Sequence, residues 1–81
     1  MFYVYVLKGE DGKHYVGQTA DLKRRFAEHN NGENSSTCYQ QWQLLYYEAY
    51  QTQQAAIKRE RKLKHHGGVY QSLIKRLNEN N

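Results

Sequence analysis

The sequence predicts a small α/β domain, three strands flanked by helices in the order β-β-α-β-α-α. Three observations predict it. Two runs rich in Tyr and Val, Tyr3-Val4-Tyr5-Val6-Leu7 and His14-Tyr15-Val16-Gly17, flank a break that contains Asp11-Gly12. A third run of aromatic and aliphatic residues spans Trp42 to Tyr50. Elsewhere the apolar residues recur at helical spacing instead of alternating. A length of 81 residues allows one domain, residues 1–81.

Taken in order, residues 2–8 form a strand with apolar or aromatic side chains on both faces, the pattern of a strand covered on both sides. Asp11-Gly12 turns the chain, because Gly accepts φ > 0 without steric cost. Residues 14–19 return as an antiparallel partner. Thr19 or Asp21 is placed to cap a helix over residues 20–30, with Leu22 and Phe26 on one side, His29 beside them and Arg25 at the edge of that face. Asn30-Asn31-Gly32 ends this helix. Gly32 to Gln41 is polar, as loops are. The third strand, residues 42–50, is two-sided, with Trp42, Leu44 and Tyr46 against Leu45, Tyr47 and Ala49. Thr52 caps a helix that runs to about His66, where Gly67-Gly68 stops it. Val69 to Leu77 is a last helix with Val69, Leu73, Ile74 and Leu77 as its stripe, and Asn78 to Asn81 is a tail.

Composition narrows the function classes. Twelve basic and eight acidic residues leave a net charge of +4, a bias towards polyanionic partners. Eight Tyr and one Trp supply a core whose polar tips reach water or partners. One cysteine, Cys38, excludes an internal disulfide and points to a reducing compartment. No signal-peptide pattern and no membrane-length apolar run is present. The expectation is a cytoplasmic protein.

Several residues stand out chemically. Tyr5 and Tyr15 come close once the hairpin pairs, and Arg25 and His29, four apart, share a helix face. Two phenols, a guanidinium and an imidazole therefore converge at one end of the sheet. On the second long helix, Leu63, Ala56 and Ile57 span an arc of about 120°, with Glu60 near its centre. A carboxylate on a core-facing stripe is costly unless paired or bound to a cation. Glu60 is thus a metal ligand, the partner of a cation such as Arg25, or a side chain that the tilt of its helix turns out to water. Lys58, Arg59, Arg61, Lys62 and Lys64 make the same helix strongly basic. His65-His66 with Cys38 lacks the spacing of a zinc site.

Tyr3-Val4-Tyr5, Tyr15-Val16-Gly17, the helix bearing Arg25 and the later helix bearing Glu60 together resemble the GIY-YIG nuclease superfamily, above all its small bacterial members. The resemblance covers nearly the whole chain. It implies that the third strand is antiparallel too, with the first strand in the middle. It also implies metal-dependent hydrolysis of DNA phosphodiesters, endonuclease-like, and leaves the choice of DNA over RNA open. In that scheme Tyr15 is the base for an attacking water, and Tyr5 hydrogen-bonds to that water or to a phosphate oxygen. Arg25 clamps the phosphate, since its planar fork matches phosphate oxygens. His29 polarises the phosphate, assists Tyr15 or caps its helix as a cation. Glu60 holds Mg²⁺ or Mn²⁺, a hard ion that takes one or two carboxylates with phosphate and water. Lys23, Arg24, Lys58, Arg61 and Lys64 are the candidate nucleic-acid contacts. Two departures matter. Tyr3 stands where the family has Gly, and Gln18 stands where excision-repair relatives have a Lys. The second reading is therefore a catalytically weak nucleic-acid-binding module acting with a partner, and the third an interaction protein with a Tyr-rich surface.

Overall fold

In the structure, a computed structural model that describes residues 1–32, 40–65 and 67–79, the strand β1 (Phe2–Gly9) runs down the middle of an antiparallel sheet. β2 (His14–Thr19) pairs on one side and β3 (Trp42–Tyr50) on the other. Val4, Tyr5, Val6 and Leu7 are at most 1% exposed, as the two-sided run of β1 requires. The β1–β2 turn is local chemistry. Gly12 takes φ 84°, its N–H donates to the Gly9 carbonyl at 3.0 Å, and the Asp11 carboxylate accepts the Lys13 N–H at 2.9 Å.

Among the described residues three helices cover the sheet: α1 (Leu22–Asn30), α2 (Gln53–His65) and α3 (Gly67–Glu79). Of the two candidate caps of α1, Asp21 acts, while Thr19 shapes the turn before it. Asp21 accepts the Arg24 N–H at 3.1 Å, and Thr19 Oγ1 accepts the Asp21 N–H at 3.1 Å. The helix therefore starts at Leu22, two residues later than residue 20, because the capping turn consumes Ala20 and Asp21. Thr52 Oγ1 accepts the Ala55 N–H at 3.2 Å and so caps α2. α2 ends at His65, just before Gly67-Gly68, but the last helix starts at Gly67 and not at Val69, so both glycines are its first residues. At the first positions of a helix glycine escapes most of the penalty it carries in a helix interior. The chain from 33 to 39, with Cys38, and residues 66, 80 and 81 lie outside the described residues.

The two faces of the sheet carry separate clusters. Tyr5, Leu7 and Trp42, with Tyr15, Leu22, Phe26 and Leu44, pack under α1. Val4, Val6 and Val16 pack with Ala56 and Leu63 of α2 and Leu73 of α3. β3 departs from strict alternation. Val6 pairs with Tyr46 but Leu7 pairs with Leu44, so Leu45 is an extra residue at a bulge. The bulge swaps the faces. Trp42 and Leu44 lie on the α1 side, whereas Tyr46 joins the opposite cluster, which corrects the grouping of Trp42, Leu44 and Tyr46 on one face.

Candidate active site

Gly17 makes the site possible. It is the cross-strand partner of Tyr5, and the Tyr5 ring lies over it. A methyl group at position 17 would come within 2.5 Å of the Tyr5 hydroxyl and 2.6 Å of Cζ. Without a side chain there, Tyr5 extends across the β2 edge strand. Gly17→Ala should therefore displace Tyr5 and lower stability by about 1–3 kcal/mol, the scale of an overpacked core. Thermal denaturation checks the stability, and the His29 ring signals in NMR check the displacement.

The Tyr5 hydroxyl meets His29 Nε2 at 2.8 Å. His29 is buried and stands 4.8 Å, ring to ring, from Tyr15; Tyr5 and Tyr15 are 6.3 Å apart. Burial pushes the Tyr5 phenol up to about 12, with Arg25 opposing the shift and Tyr15 and Glu60 reinforcing it. Tyr5 is therefore a neutral hydroxyl at pH 7. Burial, then Arg25, hold His29 below its ordinary value, against a smaller opposing effect of Glu28. A neutral imidazole does not serve as a cationic cap of α1. The His29 tautomer sets which of the two groups donates in this hydrogen bond. Arg25 lies at the rim, its guanidinium 3.2 Å from Glu28, and it acts on both Tyr5 and Tyr15.

Glu60 arrives from the other face of the sheet, on α2. The buried seam of α2 is narrower than the apolar pattern suggests. Ala56 and Leu63 are buried, while Ile57 lines a shallow surface depression with Lys58 and Arg61. At about 100° per residue, Glu60 lies about 50° to one side of the Ala56–Leu63 seam and Arg59 about 50° to the other. Glu60 is thus on a flank, not at the centre of the buried face, with its side chain 20% exposed. Its carboxylate pairs with Lys64 at 3.2 Å, not with Arg25. Lys64 Nζ in turn stands 5.8 Å from the Tyr15 ring centroid. Tyr5, Tyr15, Arg25, His29 and Glu60 consequently meet around the β2 edge, four from the α1 side and one from the α2 side.

Residues 1–78 match the GIY-YIG catalytic domain. The chain belongs to the GIY-YIG family. It is similar to a UPF0213 protein of Staphylococcus saprophyticus, 36% identical over 64 residues that cover 76% of this chain and 78% of that one. A UPF0213 protein of Haloquadratum walsbyi is 38% identical over 64 residues, 76% of this chain and 72% of its own length. A solution NMR structure of a UPF0213 protein from Bacillus halodurans is similar with a TM-score of 0.52 at 31% identity, over 80% of this chain and 72% of that chain. Membership of the GIY-YIG family supports nuclease-type function and a nucleic-acid substrate.

On this GIY-YIG domain the candidate phosphate contacts fall into separate groups. Lys23 and Arg24 are exposed on α1; Lys58 and Arg61 are exposed on α2, which packs on the other side of the sheet. Lys64 lies between them at the site itself. A cluster that the sequence did not announce lies on the β3 flank of α2. Arg59 makes two contacts to Glu48, at 2.9 and 3.1 Å. Tyr46 and Tyr50 each donate to the same carboxylate at 2.7 Å. The i, i+2 spacing of Tyr46, Glu48 and Tyr50 on one strand face was its one local signal. Among the described residues no group of three His, Cys, Asp or Glu gathers to hold a metal, and no helix is long and apolar enough to cross a membrane.

Proposed function

We propose that the chain hydrolyses DNA phosphodiesters, endonuclease-like, by attack of water with Tyr15 as base and Mg²⁺ or Mn²⁺ at Glu60. The observation that carries the reading is the meeting of Glu60 and Lys64 with Tyr15, Tyr5 and His29 around the β2 edge. The donor chemistry fits the ion. Glu60 is a partly exposed hard-oxygen donor whose carboxylate already faces a cation, Lys64. A single carboxylate suits Mg²⁺, which completes its shell with phosphate and water. When bound, the ion would supply Lewis-acid stabilisation of the leaving oxygen.

The chain's own groups divide the remaining work. Tyr15, half-buried at the β2 edge with Lys64 Nζ 5.8 Å from its ring centroid, takes the proton of the attacking water. Tyr5, held neutral, donates a hydrogen bond and does not act as a base. His29 orients the Tyr5 hydroxyl. Arg25 places its guanidinium against the phosphate as negative charge develops.

The Glu60–Lys64 pair also favours a second reading. A Lys64 that stays on Glu60 neutralises the carboxylate and leaves a nucleic-acid-binding module that acts with a partner. A nuclease panel with Mg²⁺ and Mn²⁺, run beside Glu60→Ala, decides between them. Metal-dependent cleavage lost in Glu60→Ala is the expected result; no cleavage with either ion overturns the hydrolase reading. Under both readings, binding should weaken steeply with salt, since Lys23, Arg24, Lys58, Arg61 and Lys64 release counterions from the backbone. Anisotropy titrations from low to high salt check this, and an affinity that hardly moves contradicts it.

A further inference from the structure

We propose that the groove between α1 and β3 is a stacking subsite for an unpaired nucleobase. It rests on the nucleic-acid reading above and adds a second contact point to it. The groove has a volume of about 520 Å³ and is floored by Leu22 and Phe26 of α1 and Leu44 of β3, a size in the range of small-ligand sites. Tyr3 and Tyr47 close one side, edge to face, with ring centroids 6.1 Å apart. Tyr47 is 53% exposed, whereas Tyr5 beside it on β1 is buried. The β3 bulge sets this up, because it places Leu44 and Tyr47 on one face although they are three residues apart.

The charge around the groove selects the occupant. Lys23 lines it, so the lining carries a cation to meet the phosphate of a stacked nucleotide. Stacking on aromatic faces beside a cationic track is how single strands are held without sequence preference. Asp21, also in the lining, accepts the Arg24 N–H as the cap of α1, and its charge steers the phosphate to the Lys23 side. Around α1, Arg25 falls about 60° to one side of Leu22 and Lys23 about 100° to the other. The groove and the Tyr5–Tyr15 cluster thus flank the same helix. A base inside a duplex has both faces stacked already, so the groove accepts only an unpaired one.

The test uses the whole chain with chelator present, so that no probe is cleaved. Binding is measured for a short single-stranded deoxyoligonucleotide, its duplex, and an abasic strand of the same length. Tyr47→Ala should weaken single-strand binding about tenfold, in the range of one lost stacking contact, and leave duplex binding unchanged. Tyr47→Phe, which keeps the ring, should bind like the parent. The abasic strand should bind the parent as weakly as the normal strand binds Tyr47→Ala. Equal losses on single strand and duplex, or no loss on either, overturn the subsite while leaving the nuclease reading intact. A parent that binds neither probe overturns both. A concentration-dependent dimer in sedimentation that Tyr47→Ala dissolves assigns the face to a second copy of the chain and overturns the proposal.

Discussion

Glu60→Gln should lower metal-dependent cleavage by roughly 10²-fold or more while leaving the melting temperature almost unchanged. The loss follows from removing the carboxylate that is to hold the ion, a change of the size seen when one electrostatic contact to a transition state is removed. The near-constant stability follows from the surroundings of Glu60. Its partner is Lys64, one turn along the same helix and 41% exposed, and such i, i+4 pairs contribute only about 0.3–0.5 kcal/mol. Glu60→Gln therefore strands no buried cation, since Arg25 keeps Glu28. Nucleic-acid binding without metal should hold or rise, because the substitution removes a negative charge from the phosphate path and frees Lys64. Calorimetry and single-turnover cleavage on the same preparation check the two halves together. A fall in melting temperature of many degrees would assign Glu60 a structural role and withdraw it as the metal ligand.

What the sequence made legible was what local rules decide. The hairpin turn at Asp11-Gly12, the caps at Asp21 and Thr52 and the two-sided burial of β1 each depend on residues a few positions apart, and each stands in the structure. The approach of Arg25 and His29 to the two tyrosines was legible for the same reason: a hairpin register and a helix period suffice. Three features were not. The bulge at Leu45 breaks the alternation of β3 without a glycine or proline to mark it, so Trp42 and Tyr46 were grouped on one face. Ile57 widened the apparent apolar arc of α2, because hydrophobicity does not say which apolar residue stays at the surface. With Ile57 outside the buried seam, Glu60 moves from its centre to its flank, and its burial ceases to argue for a metal by itself. The partner of Glu48 lies on another element, 11 residues on, and nothing in a basic run singles out Arg59 from its neighbours.

The largest loss of stability should come from Glu48→Ala. The Glu48 carboxylate is 16% exposed and the Arg59 side chain 27%. Both oxygens are engaged, by two guanidinium contacts and two phenols. Removing the carboxylate leaves a half-buried cation and two half-buried hydroxyls without their acceptor. Breaking a fully buried pair costs about 3–5 kcal/mol, and this site, still touched by water, should lose about 2–4 kcal/mol. For a domain of this size that is a fall of roughly 10–25 °C in melting temperature. Burial alone would raise the Glu48 carboxyl, but Arg59, Tyr46 and Tyr50 hold it below its ordinary value of 4.5. The unfolded chain therefore binds this proton more tightly than the folded one. The contribution is complete above the ordinary carboxylate range and is lost as pH falls through the lowered folded value. The parent should accordingly lose stability on acidification below about pH 4.5 more steeply than Glu48→Ala, so that the gap between them narrows. Because Arg59 and Glu60 flank the same seam, the pair also fixes the rotation of α2 that brings Glu60 to the β2 edge. Glu48→Leu combined with Arg59→Met, which replaces the pair by apolar groups, should recover much of the lost stability. It should leave cleavage reduced, because a directional clamp has been exchanged for a non-directional contact. Full recovery of both stability and cleavage in that double variant would limit the Glu48–Arg59 pair to a stabilising role.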